Sequence, residues 1–228
     1  MRQQFEASSA IEAEVKLGMG RVDTERAEHG TTWASVEPID PGHEASVRLA
    51  ERTTISFDGS TLRVEVPDSG RLFRKAEVAV TFGLPAESAL SVKGGAVDIT
   101  VRGGVSALAA KLGAGDVDVD EAGPLSVKAG QCDVVVGVAA VISVATGQGS
   151  LTGRAVGVTS FKAGQGTVDL GSTEGPVAVK GGSIDLTISE AGPGDVVFTT
   201  GSGSASIGVR AGTTVQLDML SSSGDVRC

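Results

Sequence analysis

The most regular feature of the chain is a short pattern of apolar and polar positions that returns along most of its length. In residues 161–170, FKAGQGTVDL, an apolar residue and a lysine precede a glycine-rich turn, and alternating apolar and polar residues follow it. Taking the apolar residue after each turn as a marker gives positions 16 to 21 residues apart: Val97, Val117, Val134, Leu151, Val168, Ile184, Ala205 and Val226. A period on this scale predicts a solenoid, in which each repeat buries its apolar side against its neighbours.

Each repeat contains two short segments that alternate with period two, the signature of a β-strand. One precedes the glycine turn, as in Leu125 and Val127, and one follows it, as in Val134 and Val136. We expect these apolar residues to point inward and the residues between them to point outward. The sequence therefore predicts an all-β chain that winds as a single-stranded parallel β-helix of about 16–21 residues per turn. Right-handed winding is expected from the crossover preference of parallel strands, and the hexapeptide period of left-handed helices is missing.

Residues 1–89 differ from the rest, because they hold 25 of the charged residues and only seven of the glycines. Residues 15–24, VKLGMGRVDT, match the repeat and predict a first turn of the helix near Val22. Asp58-Gly59 lies between two alternating segments and predicts a hairpin with a tight primed turn. We therefore expect an N-terminal region of mixed and antiparallel strands over 1–89 and a glycine-rich β-helix over 90–228. The last turn, which begins at Val226, is expected to be incomplete.

The repeated strings G-x-G-D-V at residues 113–117 and S-G-D-V at 223–226 resemble the bacterial "putative adhesin" β-strand-repeat family, domain of unknown function 4097. The resemblance covers nearly the whole chain. It implies a β-helical fold and an adhesin-like role, and it supplies no catalytic residues. Many similar proteins look exported or membrane-attached, which this chain does not.

Composition and charge limit the possible functions. The chain has 33 glycines, one tryptophan and no tyrosine, so its core must be thin and aliphatic. A net charge of −9 disfavours nucleic acid as a partner, since that affinity comes largely from clustered Lys and Arg. The sequence shows neither a secretory apolar run nor an apolar stretch long enough to span a membrane, so a cytoplasmic location is expected. The two cysteines, Cys132 and Cys228, leave a disulfide open, and Cys132 replaces the second glycine of a repeat turn.

Motifs for chemistry are weak. The G-x-G strings lead into strands and not into helices, so they favour corner turns over a phosphate site. Asp116, Asp118 and Asp120 lack the nine-residue tandem repeat of a calcium-binding β-roll, and Glu25, Glu28 and His29 favour a surface loop. We predict no catalytic residue, no cofactor and no small-molecule substrate.

One cation site is left open, at Asp169 and Asp185, which the markers would stack as like charges on neighbouring strands. In that arrangement repulsion would raise one aspartate pKa. The function expected is a non-catalytic binding or scaffold module with a protein partner. The alternatives are an end-to-end self-assembling protein and a carbohydrate-active β-helix enzyme, for which the scarcity of aromatic residues is unfavourable.

Overall fold

The computed structural model describes residues 1–67, 76–223 and 226–227, which are almost entirely β. The elements in chain order are β1 (Arg2–Glu6), β2 (Glu12–Arg26), β3 (Thr31–Pro38), α1 (Glu44–Glu51), β4 (Thr54–Phe57), β5 (Thr61–Glu65), β6 (Val78–Leu84), β7 (Ala89–Val101), β8 (Ala107–Thr173), β9 (Val177–Ala191), β10 (Gly194–Ser202), β11 (Ala205–Val209), β12 (Val215–Ser223) and β13 (Val226–Arg227). The expectation of an all-β chain is confirmed, with α1 as the one helix in the described residues.

Thirteen strands of the described chain form one large sheet that does not close on itself. Its main path runs β1-β3-β6-β2-β7-β8-β9-β10-β12. The pairs β1/β3, β3/β6 and β4/β5 are antiparallel, whereas β2 lies parallel to β5, β6 and β7. From β7 onward every pair is parallel. The predicted mixed N-terminal region and parallel remainder are thus both present, and the β2/β7 pairing joins residues 1–89 directly to the rest of the sheet.

The core is built from the alternating aliphatic residues that the sequence pattern predicts to point inward. Leu125, Val127, Val134 and Val136 are each at most 2% exposed, whereas Ser126 and Val135, which alternate with them, lie on the outward side and are more exposed. Equivalent residues in β7, β8, β9 and β10 are buried in the same way. Burial of aliphatic surface is the dominant favourable contribution to folding, so this alternation explains why these residues form strands with one inward face.

The stacking of neighbouring repeats differs from the predicted markers at two positions. Ile99, not Val97, pairs with Val117, and Leu186, not Ile184, pairs with Val168. A shift of two residues leaves the same side chains pointing inward, so the hydrophobic pattern alone does not choose between the two registers. The inward column that contains Val117 and Val168 therefore consists of Val22, Ile99, Val117, Val134, Leu151, Val168, Leu186 and Ala205.

The predicted hairpin at Asp58-Gly59 forms with a different turn. Phe57 pairs with Leu62, and three residues, 58–60, connect β4 to β5. Gly59 has a φ of +98°, and among the described non-glycine residues only Glu87 has a positive φ, so Asp58 does not adopt the primed-turn conformation. Instead the Asp58 carboxylate accepts hydrogen bonds from the backbone N–H groups of Ser60 and Thr61 at 2.9 and 2.8 Å. The side chain thus closes the turn, as Asp commonly does.

The sequence pattern did not predict α1. Its buried residues Ser46, Leu49 and Ala50 follow helical spacing, and the helix contacts β3 and β6. The signal is only one helical turn long, which is too short to stand out against the surrounding strand pattern. At the other end, β13 pairs in parallel with β11, and Cys228 lies outside the described residues.

Candidate functional site

Glycines at one corner hold the repeats in register. A Cβ atom added to Gly130, Gly147 or Gly164 would lie 2.7–2.8 Å from the carbonyl oxygen of the glycine 17 residues earlier. Real Cβ atoms do not approach so closely, so the backbones can stack at this corner only without side chains. Equivalent positions in successive repeats therefore form straight columns, and within β8 the offset is 17 residues. These columns make up the candidate functional surface.

An acidic column lies on one side of the glycine corner. It contains Asp98, Asp116, Asp133 and Asp185, with Ser150 and Thr167 between the last two. Three of these carboxylates accept hydrogen bonds from the next repeat. Asp98 accepts from the Asp116 N–H at 3.0 Å, and Asp133 accepts from both the N–H and the hydroxyl of Ser150 at 2.8 and 2.6 Å. The column is thus a structural tie between repeats.

The predicted cation pair, Asp169 and Asp185, is not stacked. Asp169 pairs with Thr187, and Asp185 pairs with Thr167, so the two carboxylates occupy different columns. The reason is that Leu186, and not the predicted marker Ile184, pairs with Val168, so the predicted register is shifted by two residues. Asp185 accepts hydrogen bonds from the hydroxyl and the N–H of Ser204, each at 2.8 Å, and these bonds lower its pKa from the ordinary 3.8. The direction is opposite to the increase that like-charge stacking would produce. No group of three or more possible metal ligands occurs within the described residues.

A shallow groove of about 610 Å³ lies beyond the acidic column. Its lining includes Asp118, Asp120, Arg154 and Asp169, with Gly137, Gly153 and Gly171 leaving room between them. Asp118 and Asp120 both accept hydrogen bonds from Arg102, at 2.7 and 2.8 Å. The aspartates singled out in the D-V-D-V-D string are therefore partly neutralised by an arginine of the previous repeat.

Arginine makes a second bridge between repeats farther along the sheet. The Arg210 guanidinium donates to Glu190 at 2.8 Å and to Glu174 at 3.2 Å. These exposed pairs contribute little to stability individually. However, the guanidinium groups of Arg102 and Arg210 are paired with carboxylates of the same chain, whereas the lysines from Lys93 to Lys180, described next, make no ion pair with any described residue.

A lysine column lies on the opposite side of the glycine corner. Lys16 pairs with Lys93, Lys93 with Lys111, and Lys162 with Lys180. The 17-residue offset places Lys128 after Lys111 and Ala145 before Lys162. Lys93, Lys111, Lys128, Lys162 and Lys180 are exposed and make no ion pair with any described residue.

Sequence reasoning found the repeated lysine and assigned it no binding role. The signal that would have revealed the column is the fixed position of each lysine directly after an inward apolar residue.

Two further outward columns complete this face. The middle column has small side chains: Ser91, Ala109, Ser126, Ser143, Ser160 and Ala178. The outer column is apolar: Ala89, Ala107, Pro124, Val141, Val158 and Pro176. Val141 and Val158 are 40% and 44% exposed. We name these three columns together the lysine face.

The remaining residues of interest lie in different parts of the structure. Glu25 lies in β2, whereas Glu28 and His29 lie exposed in the turn that follows, as predicted for a surface loop. Cys132 is buried in the corner, where it lies between Gly115 and Gly149 of the neighbouring repeats, and its thiol is free. Trp33 is also buried, with the Arg2 guanidinium 3.7 Å from its ring centre, so it does not present an open aromatic platform. No helix in the described residues is long and apolar enough to cross a membrane.

Comparison with known proteins gives structural likeness only. No family model matches the chain, and no curated protein matches its sequence. A crystal structure described as a "putative adhesin" from Parabacteroides distasonis is similar, with a TM-score of 0.55 and 13% identity over 100% of this chain and 96% of that one. A second "putative adhesin", from Bacteroides fragilis, has a TM-score of 0.49 and 17% identity over the same shares of the two chains. The first likeness supports a shared fold.

Proposed function

We propose that the chain is a single-stranded parallel β-helix that serves as a non-catalytic, adhesin-like binding module. Parallel pairing at offsets of 17 to 21 residues from β7 onward supports the winding. The fold shared with the Parabacteroides distasonis protein, which is described as a "putative adhesin", supports the role. The bacterial adhesin-like family suggested by the repeat strings agrees with both.

The observation that carries the proposal is the arrangement of outward residues in straight columns on flat faces. Such a surface offers the same chemistry in every repeat, which suits an extended or repetitive partner. A catalytic site would instead need an acid and a base that converge on one position. The carboxylates of Asp98, Asp133 and Asp185 accept hydrogen bonds from neighbouring repeats, and Asp118 and Asp120 pair with Arg102.

Retention of bacterial cell envelopes on the immobilised chain tests the adhesin-like role. Beads coated with the folded chain should retain labelled envelope fragments, whereas beads coated with the heat-unfolded chain should not. Equal retention by the two preparations would contradict the proposal. Appearance of new reducing ends in the envelope polysaccharides would favour the enzyme alternative.

End-to-end assembly is a second candidate function, favoured by the incomplete burial of the apolar side chains of β12. Val215, Leu217 and Met219 pack against the core but are only partly buried. In contrast, Val196 and Phe198 of β10, which pair with Leu217 and Met219, are buried. Light scattering over a concentration series separates the two functions, since growth into elongated species would favour assembly and a constant monomer mass would favour binding of another partner.

The compartment is a separate question. The cytoplasmic location expected from the sequence stays a prediction, while an adhesin-like role would require the chain at the cell surface. Fractionation of the host cell with an antibody to the chain distinguishes these locations.

A further inference from the structure

We infer that the lysine face binds a linear acidic polysaccharide that lies along the stacking direction of the strands. The inference rests on the proposed binding function and names the chemical class of the partner. Its starting point is the concentration of positive charge on one column of a chain whose net charge is −9. The acidic column lies across the glycine corner from these lysines, and Glu14 and Asp218 carry negative charge at the two ends of the middle column.

The spacing of the lysines fits a regularly charged, extended polymer. Neighbouring strands lie about 4.8 Å apart, so the five intervals from Lys93 to Lys180 span about 24 Å. Only the Ala145 position interrupts the charges. An extended chain of uronic acids carries one carboxylate per sugar ring, and one ring has a length similar to one strand spacing. Repeated ammonium groups can therefore meet repeated carboxylates without bending of either partner.

The two other columns favour sugar rings as the body of that polymer. The outer column lies four residues from the lysines, or about 13 Å along the strands, so a broad channel with a small-residue floor separates the two. Ser126, Ser143 and Ser160 place hydroxyl groups on this floor in three successive repeats. The exposed apolar surface of Val141 and Val158 can contact the apolar faces of sugar rings.

A single-stranded nucleic acid fits the face less well. Sequence-tolerant nucleic-acid grooves combine positive charge with aromatic side chains on which bases stack. None of the positions in the three columns is aromatic. A neutral polysaccharide would leave the lysine column without a counter-charge. Carboxylates on a carbohydrate backbone account for all three columns together.

Binding of polygalacturonate tests the inference, with neutral dextran and single-stranded DNA as comparison polymers. Affinity electrophoresis or interferometry should show that the chain binds polygalacturonate and that added salt weakens this binding. The variant K111Q/K128Q/K162Q should bind at least about tenfold more weakly, because three of the counter-charges are removed. The control R21Q/R48Q/R154Q changes the net charge equally at positions away from the lysine face and should bind like the wild type.

A steric variant separates binding in the channel from general charge attraction. Ser143→Phe keeps every lysine and places a ring on the channel floor, so it should weaken binding, whereas Thr152→Phe on the opposite side of the corner should not. Melting temperatures close to that of the wild type would show that the lysine variants fold. Equal binding by the lysine triple and its arginine control, or tighter binding of DNA than of polygalacturonate, would overturn the inference.

The same samples distinguish failure of the inference from failure of the proposed function. Polygalacturonate that is neither bound nor altered contradicts the inference and leaves the non-catalytic binding role standing. Polygalacturonate that is cleaved, with new reducing ends, contradicts the non-catalytic role itself.

Discussion

At the scale of single residues, the corner after each lysine restricts side-chain size at several positions. Gly115 and Gly149 have φ values of +138° and +146°, and a Cβ on either would overlap the carbonyl oxygen of the residue stacked before it. Cys132 occupies the equivalent position between them and is buried there. Backbone conformation and close stacking both favour glycine at the flanking positions.

Gly149→Ala should therefore destabilise the protein strongly, by about 2 kcal/mol or more, since strain and overlap with the Cys132 carbonyl act together. Gly42→Ala is the matched control, because its nearest neighbour would be the flexible side chain of Asp40 at 3.2 Å. Urea unfolding of both variants measures the difference. Equal midpoints for the two would contradict the close stacking described for this corner.

The Cys132 thiol should be unreactive in the folded protein. Burial, with smaller contributions from the negative charges of Asp116, Asp133 and Asp98, raises its pKa to about 12, so the reactive thiolate is scarce near neutral pH. In a Cys228→Ser background, iodoacetamide should label the chain slowly at pH 8 and rapidly in urea. Rapid labelling of the native protein would mean that the corner opens easily.

At the scale of strands, the sequence determines which side chains face inward but not which residues stack. Alternation identified Leu125, Val127 and Val134 as core residues, and all three are buried. The pairing register was harder to predict, because Val97 and Ile99 both point inward and the pattern alone allows either of them to pair with Val117. Contacts of the glycine backbone settle the choice, and these depend on three-dimensional stacking. The error removed the predicted Asp169–Asp185 site and concealed the regularity of the acidic column.

Val168→Asp should unfold the sheet locally or globally at a cost of several kcal/mol, because it buries an unpaired charge at a position only 1% exposed. Ser143→Asp introduces the same charge on an exposed outward position and should change stability by less than about 0.5 kcal/mol. Thermal and urea denaturation compare the two. Similar stability of both variants would show that the inward and outward assignments are wrong.

The tie between Asp185 and Ser204 predicts a pH dependence of stability. Because the hydrogen bonds lower the folded-state pKa below its ordinary 3.8, the carboxylate contributes stability above that value and loses it as the pH falls through the folded pKa. Asp185→Asn should therefore lower the melting temperature at pH 7 and approach the wild type below about pH 4. Asp169→Asn is the control. A difference for Asp185→Asn that stays constant from pH 7 to pH 3 would contradict the tie.

At the scale of the whole molecule, the buried aliphatic core is continuous from the antiparallel strands to β11. Leu62 in β5 and Ile207 in β11 belong to the same cluster, although the N-terminal part and the repeats differ in composition. The sequence predicted a division at residue 89, and this division stays a prediction. In the structure, the β2/β7 pairing carries the sheet across residue 89 without a break.

Protection should nevertheless vary along the molecule, because interactions between repeats are limited to nearest neighbours. In β9, Val177, Val179 and Leu186 are each 1% exposed and the strand has parallel neighbours on both sides. In β12, Leu217 and Met219 are only partly buried, and β10 is the neighbour that the described residues provide. Amide hydrogen exchange should therefore be slowest in β8 and β9 and markedly faster in β12. If β12 exchanged as slowly as β9, another subunit or another part of the chain would have to cover its edge. Measuring exchange at decreasing protein concentration separates these two explanations, because only a contact between subunits would be lost on dilution.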